Sequence, residues 1–102
     1  MLVPIRPPEF DVEIALAYAT ANNFTGQPVY RRSACWLNPE AAELLQRAVV
    51  LAQPLGLRFV ILDAFRPAEA QWALWTHTPD PDFLADPRRG SPHSMGAAVD
   101  LT

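Results

Sequence analysis

Between Asn38 and Gly56, apolar side chains return every three or four residues at Leu44, Leu45, Ala48, Leu51 and Ala52. That is the period of an α-helix with one face turned to a core. Asn38 can cap such a helix, Pro39 suits its first turn, and Glu40 favours its positive end, while Pro54 and Gly56 stop it. The pattern then changes. "LRFVILDAF" is an unbroken apolar run, rich in strand formers and flanked by a turn, and predicts a buried strand with Asp63 near its end. "RPAEAQWALWTHT" returns to helical spacing, with Pro67 in the first turn and Ala70, Ala73 and Leu74 facing the core. Arg66 therefore stands at a strand–helix junction. Trp36, Trp72 and Trp75 read as packing residues.

The remaining segments are less regular. Pro4, Pro7 and Pro8 make residues 1–12 extended. "EIALAYATANNFTG" predicts a short helix that breaks at Asn22, Asn23 and Gly26, with Tyr18 close to the break. Residues 78–92 carry the prolines and aspartates of a loop, and "AAVDLT" predicts a second strand from about Ala97. No repeat or low-complexity tract interrupts the order, so the pattern describes one mixed α/β unit.

Composition narrows the function classes. A chain of 102 residues makes one domain with a thin core, since folding at this size removes roughly 60–70% of the unfolded surface from water. Half of the residues are apolar and 19% charged, which is a globular rather than a disordered composition. A net charge of −3 provides no cationic field for phosphate backbones, which argues against nucleic-acid binding. All of the basic residues are arginine, and no function follows from that. Cys35 stands alone between Ala34 and Trp36 and reads as a small buried hydrophobe. The N-terminal stretch lacks the basic start and apolar run of a signal peptide. No segment approaches the roughly 20 apolar residues of a membrane span. The expected compartment is the cytoplasm.

Candidate chemistry gathers in "GSPHSMGAAVDLT", where His93 and Asp100 are seven residues apart. To share a metal ion, both donors must come within about 2 Å of it. Seven residues along a straight helix span about 10 Å, and along a strand more. The pair becomes useful only if Gly96 reverses the backbone and leaves Asp100 on the following strand, opposite in direction to Val99 and Leu101. Taken alone, the pair is a weak signal and reads first as a satisfied surface histidine beside a turn or strand-end aspartate. His77 falls at a helix C-terminus and Glu69 at a helix N-terminus, where charge complementation accounts for both.

"YATANNFTG" at 18–26, "DAFRP" at 63–67 and "SPHSMGAAVD" at 91–100, in this order along the chain, together resemble the zinc-dependent D-alanyl-D-alanine dipeptidase family. The resemblance implies an α+β fold of the Hedgehog/DD-peptidase type, with helices packed on a small, mainly antiparallel sheet. It implies one zinc ion per site, with His93 and Asp100 as ligands, and hydrolysis of a small dipeptide to two D-alanines. Arg66 matches the arginine that stabilises the tetrahedral intermediate. Tyr18 and Ser91 match residues of the substrate pocket, and Asp63 matches an aspartate that orients Arg66 or contacts substrate. In the family a C-terminal "E..WH" element supplies the third ligand and the base, and this sequence contains none. The expectation is therefore that residues 1–102 are a single partial domain, the N-terminal half, with an uncovered sheet edge open to self-association. Two alternatives remain: a related carboxypeptidase or endopeptidase of peptidoglycan stem peptides, or a non-catalytic binding remnant that keeps Arg66 and part of the metal cup.

Overall fold

The computed structural model describes residues 1–31 and 34–102. The two longer predicted helices and the central strand are present. Helix α1 (Pro39–Ala52) starts at Asn38, whose side chain accepts a hydrogen bond from the Ala41 amide at 2.8 Å. It runs into a single 3₁₀ turn at Gln53–Leu55, closed by Gly56 in the left-handed conformation. Strand β4 (Val60–Asp63) follows, and helix α2 (Ala68–His77) begins five residues after its end.

Short strands complete two sheets. In the larger one β4 is central, parallel to β2 (Glu13–Ile14) on one side and antiparallel to β5 (Asp100–Leu101) on the other. Val60 and Thr102 exchange both backbone hydrogen bonds across the β4–β5 pair, at 2.9 and 3.0 Å. The smaller sheet is an antiparallel ribbon of β1 (Val3–Pro4) and β3 (Trp36–Leu37). The architecture is α+β, as expected, and the strand pairing is mainly antiparallel, with β2–β4 the parallel pair. Between them sits one core, built around Ile5, Val12, Leu37, Leu45 and Ile61. Among the described residues no helix is long and apolar enough to cross a membrane.

Four local expectations need correction. Helix α1 buries Ala42, Leu45, Val49 and Ala52, whereas Leu44 and Leu51 are 59% and 73% exposed. Both sets recur at helical spacing, and only the neighbouring strands decide which one turns inward. On α2, Ala70 and Leu74 are buried as expected, but Gln71 is buried where Ala73 was expected. "EIALAYATANNFTG" is not a helix: it opens as β2 and continues into one 3₁₀ turn at Ala17–Ala19. The Glu13 and Ala15 amides donate to the Phe59 and Ile61 carbonyls, and an isolated short helix could not match those sheet bonds. Finally, β5 is shorter than predicted. Val99 packs on the core, while Leu101 is 38% exposed instead of facing it. Of the tryptophans, Trp72 is exposed and Trp75 is half-buried.

Candidate metal centre and its arginine

The turn predicted at Gly96 is real and tight. Gly96 has φ +71°, and a Cβ there would lie 2.9 Å from both the Asn38 amide nitrogen and a Leu2 methyl carbon. Its carbonyl accepts from the Asn38 amide at 2.8 Å, so the turn is fastened to the N-terminus of α1. The Arg66 amide donates to the His93 carbonyl at 2.9 Å, which ties the β4–α2 junction to the same turn. With β5 paired to β4, Asp63 and Asp100 become cross-strand partners next to an irregularity in the ladder. Two carboxylates on paired positions repel unless cations separate them.

His93 and Asp100 come together as predicted. Nδ1 of His93 lies 2.8 Å from the Ala64 carbonyl oxygen. A carbonyl only accepts, so Nδ1 carries the hydrogen in the neutral ring and Nε2 is left with its lone pair. That nitrogen faces Asp100 Oδ1 at 3.4 Å. Two electron-pair donors so placed call for a cation between them. A tetrahedral ion with nitrogen and oxygen ligands at about 2.1 Å holds them about 3.4 Å apart, so the donor set fits a metal in both chemistry and spacing. The histidine's other nitrogen is already oriented by the backbone, as metal-bound imidazoles are.

Asp63 lies close to this pair but does a different job. Among the described residues, Asp63, His93 and Asp100 form a cluster whose donor atoms are within 4.8 Å of one another. Asp63 nevertheless approaches the occupied side of the imidazole, with Oδ2 3.9 Å from Nδ1. It is 1% exposed, and both of its oxygens are engaged. Oδ1 accepts from the Tyr30 hydroxyl at 2.5 Å, and Oδ2 accepts from Arg66 Nε and Nη2 at 3.2 and 2.7 Å. Both Asp63 oxygens are thus bonded to Tyr30 and Arg66, away from the open Nε2 of His93.

Arg66 is itself 5% exposed. Its Nη1 donates to Gln71 Oε1 at 2.6 Å, and its Cζ lies 5.2 Å from the centroid of the Tyr18 ring, within cation–π range. Burial works against its charge, but the bonds and charge of Asp63 outweigh this and raise its pKa further. Burial, followed by the charge of Asp63, holds the Tyr30 hydroxyl well above the usual phenol range, so it remains a donor. The Tyr18 hydroxyl is raised too, chiefly by burial.

The remaining expected residues divide. Tyr18 reaches the site through its ring on Arg66. Ser91 is 2% exposed at the start of the turn, where its carbonyl accepts from the Ser94 and Met95 amides. His77 and Glu69 are exposed at opposite ends of α2, as charge complementation predicts; the His77 ring packs edge-on against Phe24. A cleft of about 710 Å³ beside Tyr30, Trp36 and Phe65 is lined by neither His93 nor Asp100. Two residues that hold the arginine, Tyr30 and Gln71, escaped the sequence reading. The only sequence signal for Gln71 is a polar residue adjoining the apolar positions of α2; Tyr30 has none.

The D-alanyl-D-alanine dipeptidase of Escherichia coli (strain K12) is 46% identical over 92 residues, covering 90% of this chain and 48% of that protein. The D-alanyl-D-alanine dipeptidase of Enterococcus faecium is 34% identical over 105 residues, covering 83% of this chain and 52% of that protein. The chain thus spans about half the length of the curated relatives it matches. A family model described as D-ala-D-ala dipeptidase matches residues 2–102, so the chain belongs to that family of peptidases, Peptidase_M15.

Proposed function

We propose that the whole protein hydrolyses the dipeptide D-alanyl-D-alanine to two D-alanines with one zinc ion, and that His93 and Asp100 are two of the zinc ligands. The observation that carries the reading is the 3.4 Å approach of His93 Nε2 to Asp100 Oδ1, one carboxylate away from a buried arginine. Zinc held there would supply Lewis acidity to the scissile carbonyl and make water a stronger acid.

The protein's own groups supply the rest. Asp63 and Gln71 occupy three of the five N–H donors of Arg66, which leaves two for the oxygen that gains charge as the carbonyl carbon becomes tetrahedral. Because the guanidinium is held before the substrate arrives, little reorganisation accompanies the reaction. Low exposure also strengthens its interaction with a developing oxyanion. Tyr18, with a protonated hydroxyl and a ring on the guanidinium, and Ser91, at the start of the His93 turn, are proposed to border the dipeptide. Asp63, closed off by its partners, orients Arg66. Catalysis further requires a third metal donor and a base. Among the described residues no other His, Cys, Asp or Glu joins the cluster, so the reading draws both from the rest of the whole protein.

The test uses the full-length protein loaded with zinc. It should bind one zinc and cleave free D-alanyl-D-alanine, and His93→Ala or Asp100→Asn should weaken zinc binding by about 100-fold or more. Unchanged zinc stoichiometry in both variants would overturn the ligand assignment. Equal cleavage of longer stem peptides would move the protein to the carboxypeptidase or endopeptidase reading, and dipeptide binding without turnover to the binding-remnant reading.

A further inference from the structure

We propose that Gln71 is a positioning residue that fixes the guanidinium of Arg66 and couples it to the loop ahead of the His93 turn. This rests on the catalytic reading of Arg66 given above. Gln71 is a neutral polar side chain on an otherwise apolar face of α2, between Ala70 and Leu74, and it is 1% exposed. A polar group so placed destabilises the fold unless both ends of its amide are satisfied. Both are: Oε1 accepts from Arg66 Nη1 at 2.6 Å, and Nε2 donates to the Ala85 carbonyl at 2.7 Å.

The chemistry of the two partners dictates the side chain between them. Arginine can only donate and a carbonyl can only accept, so the bridging group needs an acceptor at one end and a donor at the other. A neutral amide meets that requirement. A carboxylate would keep the bond to Arg66 but oppose the Ala85 carbonyl, and an aliphatic side chain would keep neither.

The effect on Arg66 is geometric. Asp63 Oδ2 takes both Nε and Nη2, which grips one edge of the guanidinium and leaves the plane free to pivot about that contact. The bond from Nη1 to Gln71 fixes the opposite side and removes the pivot. One N–H on Nη1 and one on Nη2 then remain for a substrate oxygen. Since Ala85 lies in the loop that leads to Ser91 and His93, the same amide also sets the distance between that loop and α2.

The experiment compares Gln71→Met, Gln71→Glu, Arg66→Lys and the Gln71→Met/Arg66→Lys double variant in the full-length, zinc-loaded protein. Two quantities are read: kcat and KM on D-alanyl-D-alanine, and rotation about the Cζ–Nη1 bond of Arg66 by side-chain ¹⁵N NMR of arginine-labelled protein. Gln71→Met should lower kcat about tenfold or more with KM within about twofold, because a displaced guanidinium costs transition-state stabilisation more than ground-state binding. It should also speed the bond rotation at least about tenfold, since a hydrogen bond to the Nη1 protons is lost. In the Arg66→Lys background the same substitution should cost nothing further, because residues acting through one group are not additive. Gln71→Glu keeps the acceptor and should restore slow rotation. Wild-type kcat and slow rotation in Gln71→Met would overturn the proposal, as would an undiminished loss in the Arg66→Lys background. Should Gln71→Met fail to fold, Gln71→Asn, which keeps the amide but shortens its reach, carries the comparison: faster rotation and a kcat reduced only where Arg66 is intact are expected, and slow rotation with wild-type kcat would overturn the proposal. If the wild-type protein leaves the dipeptide intact, the substrate reading fails by itself, and the rotation measurement alone decides the role of Gln71.

Discussion

Gly96 is where a single residue has most leverage. Its positive φ already costs an L side chain about 1–2 kcal/mol, and a Cβ would also collide with the backbone of Asn38 at 2.9 Å. Gly96→Ala should therefore destabilise the protein by about 2 kcal/mol or more in denaturant unfolding, and it should weaken zinc binding by separating His93 from Asp100. Wild-type values for both would show that the turn relaxes freely. Cys35 yields a prediction in pH. Burial, with a smaller push from Asp63, moves its thiol up to about 12 from an ordinary 9.0. The unfolded chain ionises first as pH rises, so the stabilisation is intact below pH 9.0 and is lost progressively between 9.0 and about 12. Cys35→Ala should flatten that part of the stability–pH curve. In the folded protein at pH 9, Cys35 should resist alkylation that proceeds readily in denaturant.

Among the elements, α1 shows how far a period can be read. Apolar residues at 42, 45, 49 and 52 and at 44, 48, 51 and 55 both follow helical spacing, and the second set is mostly exposed. Truncation separates the two faces. Leu45→Ala should cost about 2–5 kcal/mol through lost burial and a cavity, whereas Leu51→Ala should stay within about 0.5 kcal/mol; chemical denaturation of both variants checks this. The cap at Asn38 was legible because its chemistry is local. Strands β1, β2 and β3 were not, since two-residue strands owe their existence to partners distant in the chain and carry almost no pattern of their own.

At the scale of the molecule, Leu44, Leu51 and Leu55 on and after α1 are all more than half exposed, a concentration of apolar surface that promotes association. A polypeptide of these 102 residues should self-associate in sedimentation experiments as its concentration rises. A Leu51→Lys/Leu55→Lys pair should suppress this without lowering the unfolding midpoint. Persistent association in that variant would shift attention to the edge of β5.

How much was legible follows the range of each interaction. The order of the main elements, the capped helix and the reversal at Gly96 were determined by the sequence, because periodicity, capping and glycine freedom act over a few residues; the candidate roles of His93, Asp100 and Arg66 came from the family resemblance of their motifs. Tertiary structure decided which face of α1 turned inward, that Tyr30 and Arg66 bond to the two oxygens of Asp63, and that Gln71 bonds to the arginine from the other side. Those outcomes depend on directional hydrogen bonds between groups as far apart as Tyr30 and Asp63. A side chain's type limits what it can bond to, but only the folded backbone determines which partner comes within 3 Å of it.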